Sequence, residues 1–434
     1  MILVDTALEE REREGRPIRV AIVGAGYMGR GVALEMLTRR TGMRLVAVAN
    51  RTLSAAQRAY ADAGVDDVRV VENPRELDQA IAAGTPAVTD DPLLAAGSEA
   101  VDAIVEATGE VEFGARVAVD AIDHGKHVVL MNAELDATVG PILKARADRA
   151  GVVITDTDGD EPGVAMNLFR YVSALGFQPV LAGNIKGFID RYRTPDTQAE
   201  FAAKHNQKPP MITSFADGTK LSMEATILAN ATGFGVSRRG MEGPSYDHVR
   251  DMVGHFDLDR LLEGGLVDFV LGAEPGTGAF VVGYGDNPIR AQYLSYFKMG
   301  DGPLYLWYQP WHLPNFDLPL TVARAVHFHD AAVAPLGPPS CEVIAVAKRD
   351  LHEGDVLDGI GGFDCYGMIE NSDVARSDDL FPMGLTAGAR LTRDMPKDAA
   401  VSFGDVETPE GRLADELWAE QQDAFAGTSR RARA

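Results

Sequence analysis

The sequence predicts an α/β chain in three parts: a doubly wound parallel sheet at the N-terminus, an α+β middle, and a small all-β module near the C-terminus. Three observations predict it. A β-branched run at 18–23 enters a glycine cluster and leaves into a helical repeat; short apolar strands then alternate with helical stretches through 152–155; and after Pro338-Pro339 the chain breaks into short strands between regular turns. At 434 residues the chain exceeds one comfortable hydrophobic core. The expected boundaries are 1–160, 161–338 and 339–408, with a closing helix and tail over 409–434.

The opening strand runs into Gly24-Ala25-Gly26-Tyr27-Met28-Gly29, and Val32, Ala33, Met36 and Leu37 behind it recur at helical spacing. This is the strand, tight turn and helix of a Rossmann dinucleotide site. Gly24 allows the turn, Gly26 lets backbone approach a pyrophosphate, and Gly29 lets the helix pack on the strand, while the helix N-terminus beginning at Tyr27 and Met28 faces the negative charge. The next strand, 45–49, ends at Asn50-Arg51-Thr52, where an NAD-selective site usually places an acid on the ribose. Hydrogen-bonding groups and a cation there favour NADPH over NADH; the competing reading makes Arg51 a surface residue. Strands at 103–106 and 127–131 follow, ending in Ala107-Thr108-Gly109-Glu110 and Asn132-Ala133-Glu134. Ligands of such sheets lie beyond the carboxyl ends of the strands, so Thr108, Gly109 and Asn132 are expected at the cofactor. Glu134 is either catalytic or a cap for a helix beginning near Val139.

A strand at 152–155 leads into Asp156-Thr157-Asp158-Gly159-Asp160-Glu161-Pro162 before a helix at 164–175. Carboxylates so clustered bind a divalent ion such as Mg²⁺ or Mn²⁺, serve as general acids, or simply start the helix. Asp160 and Glu161 are the two expected to face the cleft, as metal ligands or proton carriers. After Gly183 the residues Asn184, Lys186, Asp190, Arg191 and Arg193 form a polar span that reads as a substrate loop. A surface helix and loop at 201–210 follow, then strands at 212–215 and 222–227 around an Asp217-Gly218 hairpin turn, then a loop at Asn230-Ala231-Thr232-Gly233. Antiparallel strands are expected at 267–271, 278–284 and 304–308, with Lys298 in a glycine-rich loop between them. Lys298 either donates to a substrate oxygen or is an exposed cation; His312, after Trp307, Tyr308 and Trp311, is either an acid–base group or a structural histidine. Short strands at 343–347, 351–357, 383–385 and 389–392 make the β module, and 412–425 reads as a helix before a solvated tail with Arg430, Arg431 and Arg433.

Bulk composition excludes some partners. A formal net charge of −23 opposes nucleic acid phosphates and anionic lipid. The longest apolar runs are strand-sized, no leader is read at the N-terminus, and the expected compartment is the cytoplasm. Cys341 and Cys365 lack the spacing of a metal knuckle or redox pair and read as buried, inert thiols. A homodimer or higher homo-oligomer is compatible with everything above.

Taken together, Gly24 to Gly29, Glu106-Ala107-Thr108-Gly109, Asp160-Glu161-Pro162, Asn230-Ala231-Thr232-Gly233, Lys298-Met299-Gly300-Asp301-Gly302-Pro303, Pro319 to Arg324 and the Glu353-Gly354 turn resemble the homoserine dehydrogenase-like proteins with a C-terminal SAF domain. Among these the likeness is to the 1-deoxy-D-xylulose 5-phosphate reductoisomerase-like enzymes. The resemblance implies an NADPH-dependent reductoisomerase acting on a sugar phosphate or a related polyol or branched-sugar precursor, with a divalent ion or cations on the vicinal oxygens. It also implies a SAF-like fold for the β module. Two departures bear on the substrate: Asn184-Ile185-Lys186-Gly187-Phe188 stands where the family carries a lysine- and asparagine-rich run, and Gln309 stands where it carries arginine before Pro310-Trp311-His312. An amide in place of a cation weakens a phosphate site. Asn132 is followed by Ala133 rather than by the lysine of homoserine dehydrogenases, which counts against homoserine itself. The alternatives are a plain dehydrogenase of a hydroxy acid or sugar, and a non-enzymatic NAD(P)-binding sensor or carbohydrate-binding protein.

Overall fold

The computed structural model describes residues 3–38 and 41–427; Arg430, Arg431 and Arg433 lie outside them. The described chain forms two compact units. Of the described residues, the first comprises those in 3–159, 313–334 and 416–421, and the second 160–312, 335–415 and 422–427.

The first unit is built on a seven-stranded sheet whose paired strands are all parallel: β1 (Ile18–Val23), β2 (Met43–Ala49), β3 (Arg69–Val70), β4 (Ala87–Thr89), β5 (Ala103–Glu106), β6 (His127–Leu130) and β7 (Ile154–Asp156). Their order is β3-β4-β2-β1-β5-β6-β7, so the winding reverses between β1 and β5. Such a reversal opens a crevice at the carboxyl ends of the two strands, where nucleotides bind. Helices α1 (Val4–Arg13), α2 (Tyr27–Thr38), α3 (Leu53–Ala61), α4 (Pro74–Ala82), α5 (Val111–Asp123) and α6 (Ala133–Ala150) accompany it. Strand β1 reads as a near-continuous apolar run because it is covered on both faces, with five of its six residues buried. The Pro314–Phe328 helix returns to this unit, where Arg324 grips both carboxylate oxygens of Asp158 at 2.8 Å and Thr321 accepts from the Asp158 amide.

The second unit holds a mixed sheet in the order β11-β10-β8-β9, from β8 (Gln178–Lys186), β9 (Leu266–Leu271), β10 (Ala279–Tyr284) and β11 (Leu304–Gln309). Helices α7 (Glu161–Ala174), α8 (Pro195–Lys204), α9 (Pro209–Ala216) and α10 (Thr219–Thr232) belong to it. Its β module contains the antiparallel pair β12 (Cys341–Ala347) and β13 (Cys365–Asn371) and the short pair β14 (Arg390–Leu391) and β15 (Val406–Glu407). Cys341 and Cys365 are both buried and outside any disulfide, at opposite ends of the β12–β13 ladder, and burial pushes the Cys365 thiol up to about 12. Among the described residues, no helix is long and apolar enough to cross a membrane.

The α/β class, the parallel N-terminal sheet and the small antiparallel pairs are as the sequence predicts; several local assignments differ. Residues 212–215 and 222–227 are helical rather than a hairpin, because Pro209-Pro210 starts α9 and Gly218, at φ 85°, turns the chain into α10. Every residue of α10 is buried, so it lacks the one-sided apolar stripe that marks a surface helix. Asn230 to Thr232 are its last turn rather than a loop, closed by a left-handed Gly233. Asn184 and Lys186 belong to β8, not to a loop; β9 runs parallel to β8, not antiparallel; 383–385 is a single 3₁₀ turn, not a strand. Helix α6 starts at Ala133, so Glu134 lies in its first turn and the cap is Asn132. The N-terminal helix α1 was unread in a segment dominated by charge.

Candidate active site

In the first unit, Gly24 follows β1 directly and has φ 106°, a conformation that strains any residue with a side chain. A Cβ there would stand 2.6 Å from the Ala107 carbonyl oxygen, at the reversal between β1 and β5. A Cβ on Gly29 would stand 2.0 Å from the Gly24 carbonyl oxygen, so that glycine is what seats α2 against the turn. Gly26 differs: a Cβ there meets nothing within 4 Å, and its backbone and Tyr27 are exposed while Met28 is half-buried. Open backbone at a helix N-terminus fits a pyrophosphate. The residues present therefore fit a dinucleotide.

The expected cofactor contacts around this turn divide into exposed groups and groups already engaged by the protein. Asn50 accepts from the Ala25 amide and donates to the Thr52 carbonyl, both at 3.0 Å, so its amide braces the glycine turn. Arg51 and Thr52 are exposed beyond β2. Thr108 donates both its amide, at 2.8 Å, and its hydroxyl to Glu106 Oε1. Gly109 follows at φ 72°. Asn132 is fully buried; it accepts from Leu135 N at 3.2 Å and donates to the Glu110 carbonyl at 3.0 Å, tying the ends of β5 and β6 together. Glu134 is buried beside it. Glu106 itself, the last residue of β5, was not singled out as a site residue from sequence; burial pushes its carboxyl up to about 7 against the hydrogen bonds from Thr108.

The second unit gathers a different set. Lys186 ends β8 and donates to Glu161 Oε1, on the first turn of α7, and to Glu224 Oε2 of α10 at 3.1 Å. Asn184, two residues earlier on the same face of β8, donates to the same Glu224 oxygen at 3.0 Å. His312 Nε2 stands 3.7 Å from Glu161 Oε2, and its Nδ1 pairs with Thr277 Oγ1 at 3.1 Å. Asp160 caps α7 without a side-chain cap bond, and its carboxylate, that of Glu161 and the His312 ring present one atom each within 4.8 Å of one another.

Burial sets the electrostatics of this cluster. The Glu161 and Glu224 side chains are only 3% and 1% exposed. Burial by itself raises the Glu161 carboxyl, yet Lys186 and His312 overcome it and hold the group below the usual carboxylate range. Burial by itself lowers the Lys186 ammonium, yet Glu161 and Glu224 together raise it, so the lysine is charged at neutral pH. For Glu224, burial and the neighbouring Glu161 act in one direction and drive its carboxyl well up.

Of the residues expected to act, Asp160, Glu161, Lys186 and His312 are thus brought together, while Lys298 is not. Lys298 is exposed at φ 67° after the Pro288–Tyr296 helix and makes no hydrogen bond or ion pair with the cluster among the described residues. Of the acidic turn, Asp156 accepts from the Thr157 amide and Asp158 is held by Arg324, whereas Asp160 and Glu161 lie with the cluster. The residues Asp160, Glu161 and His312 are of metal-ligating type, but one oxygen of Glu161 is already taken by the Lys186 ammonium, which supplies positive charge at that point. Glu224 and Thr277 were missed as site residues, and Asn184 was read only as part of a substrate loop. The available signal was Lys220 and Glu224 four residues apart in a stretch otherwise apolar or small.

Two family models match separate stretches of the chain. Residues 18–130 match the model described as "Oxidoreductase family, NAD-binding Rossmann fold", and residues 159–318 match "Oxidoreductase DRL, catalytic domain". Two separate stretches thus carry oxidoreductase signatures, the first of them for NAD binding; neither description names a homoserine dehydrogenase, a SAF domain or a reductoisomerase. Asp160, Glu161, Lys186, Glu224, Thr277 and His312 all fall in the second stretch. A curated relative, inositol 2-dehydrogenase 4 of Saccharopolyspora erythraea, is 37% identical over 89 residues, which is 19% of this chain and 26% of that protein, so the match spans about a quarter of the relative's length. Among solved structures, a probable dehydrogenase from Thermotoga maritima is 11% identical at a TM-score of 0.38, covering 62% of this chain and 73% of that one. An apo scyllo-inositol dehydrogenase from Lactobacillus casei is 14% identical at a TM-score of 0.36, covering 62% and 73%.

Proposed function

We propose that this protein is an NAD(P)-dependent dehydrogenase that interconverts a hydroxyl and a carbonyl on a small polyhydroxylated substrate, with Lys186 as the group on the reacting oxygen. The observation that carries the proposal is the Lys186 ammonium at the end of β8, bonded to two buried carboxylates inside the stretch that matches an oxidoreductase catalytic domain. When bound, the dinucleotide supplies or accepts the hydride. The rest is work for the protein. A charged lysine polarises a carbonyl oxygen and delivers a proton to it as the alkoxide forms, which is general-acid catalysis aimed at the charge that develops. Glu161 fixes where that ammonium points, and His312, held by Thr277, continues the hydrogen-bonded line on the far oxygen of Glu161.

The inositol dehydrogenase relative supports a polyol or sugar as the substrate class, and no residue of the cluster calls for a skeletal rearrangement. Arg51, exposed beyond β2 where an acid would select NAD, favours the phosphorylated cofactor. The test is oxidation and reduction of NADP and NAD against polyols, sugars, sugar phosphates and hydroxy acids, with the product carbon skeleton traced by isotopic label. Lys186→Ala should lower kcat by roughly a thousandfold and leave cofactor affinity unchanged, Lys298→Ala should leave turnover intact, and Arg51→Ala should weaken NADP selectively. Chelation of divalent ions should leave the rate unchanged. Turnover that survives Lys186→Ala refutes the assignment; a rearranged product refutes the plain dehydrogenase.

A further inference from the structure

Two carboxylates on one ammonium leave a charge imbalance. Glu161 and Glu224 both bind Lys186 Nζ, and both are almost entirely buried. With every group ionised, the trio would hold one uncompensated negative charge away from water, and Asp160 adds another nearby. Buried like charges of this kind are relieved by keeping one proton on the pair. The two carboxyls are not equivalent. Glu161 has the closer contact with Lys186 and faces His312 as well, whereas Glu224 concentrates Asn184 and Lys186 on a single oxygen.

We propose that Glu224 carries that proton, and that it is a positioning residue which re-supplies Lys186 after Lys186 has protonated the substrate oxygen. The inference rests on the dehydrogenase reading above. In the reduction direction an N–H bond of Lys186 breaks and an O–H bond forms on the substrate; then the O–H bond of Glu224 breaks and an N–H bond re-forms on Lys186. The net result is one proton moved from Glu224 to product, restored later from solvent.

The charged groups acting on Glu224 are Glu161 of α7, Asp160 at the cap of that helix, Lys186 of β8 and Lys220 of its own helix. Other acids on elements packed against α10 are engaged elsewhere: Asp268 of β9 accepts the Glu242 and Gly243 amides, Asp217 at the end of α9 pairs with Lys348, Glu342 of β12 faces Arg376, and Glu370 of β13 pairs with Arg239. Burial and the Glu161 charge both raise the Glu224 carboxyl, the direction that favours keeping its proton.

The test uses the full chain with Glu224→Gln, which keeps shape and hydrogen bonding but carries no transferable proton. The wild type should show a reduction rate that falls on the alkaline side as Glu224 ionises. Glu224→Gln should be about tenfold slower near neutral pH, flat across that limb, and unchanged in KM within about twofold. A purely structural Glu224 would leave both the rate and the limb of the isosteric variant intact, and that result overturns the proposal. Infrared spectroscopy gives a readout without turnover: a protonated-carboxyl carbonyl band present in the wild type should vanish in Glu224→Gln. Its persistence there, with loss in Glu161→Gln, puts the proton on the other residue and also overturns the proposal. Absence of wild-type turnover on every substrate would sink the dehydrogenase reading instead, and the infrared band would still decide where the proton lies.

Discussion

Replacing Glu106 by Gln should make the protein more stable at pH 8 and remove a component of its pH dependence. Glu106 ends β5 with no exposure to solvent; Oε1 accepts both donors of Thr108, and Oε2 lacks a hydrogen-bond partner. Burial raises its carboxyl from 4.5 to about 7 in the folded protein. Between those values the folded state holds a proton that the unfolded state has released. Stability therefore falls as pH rises through that window, by about 3 kcal/mol for a shift of that size, and the loss is complete above the folded pKa. Glutamine does not titrate and keeps a neutral acceptor for Thr108, as the protonated carboxyl does. The net gain expected at pH 8 is therefore about 3 kcal/mol, shrinking toward zero at pH 5. Urea unfolding of both proteins at pH 5, 6, 7 and 8 measures the difference directly. A difference independent of pH would refute the argument, because it would mean that Glu106 does not change protonation in that range.

Two further substitutions probe the parts of the structure that hold the sites in place. Gly29→Ala puts a Cβ 2.0 Å from the Gly24 carbonyl oxygen, so the turn must open; calorimetric titration should show cofactor binding weakened at least tenfold, and unchanged affinity would mean the turn is not the binding element. Asp217→Asn removes the partner of Lys348, whose buried ammonium also donates to the Arg193 and Gly362 carbonyls at 2.9 and 2.7 Å. A buried charge left without its counter-ion costs about 3–5 kcal/mol; thermal unfolding should show the loss, and a change under about 1 kcal/mol would show that the two carbonyls suffice.

What could be read from sequence, and what could not, follows from the range of the interactions. The dinucleotide turn was legible because its logic is local: Gly24, Gly26 and Gly29 lie within six residues, and their consequence, the seating of α2 on β1, involves the elements on either side. The parallel sheet was legible for the same reason, since strands buried on both faces announce themselves as apolar runs. Asp160, Glu161, Lys186 and His312 could be proposed singly, as polar residues at the ends of elements, but nothing in their spacing shows that they meet. Lys298 looked equally good by that criterion and is exposed. Glu224 was invisible because its helix is buried all round, so no stripe separates a functional face from a packing face. That same burial is what gives Glu224 its chemistry. A glutamate on a surface helix would be an ordinary carboxylate, solvated and ionised, whereas one enclosed between β8 and the β module must share the charge of Lys186 with Glu161. The residues hardest to find from sequence here are those whose reactivity comes from enclosure, and a charged i, i+4 pair such as Lys220 and Glu224 inside an otherwise small and apolar run is the sequence trace that enclosure leaves.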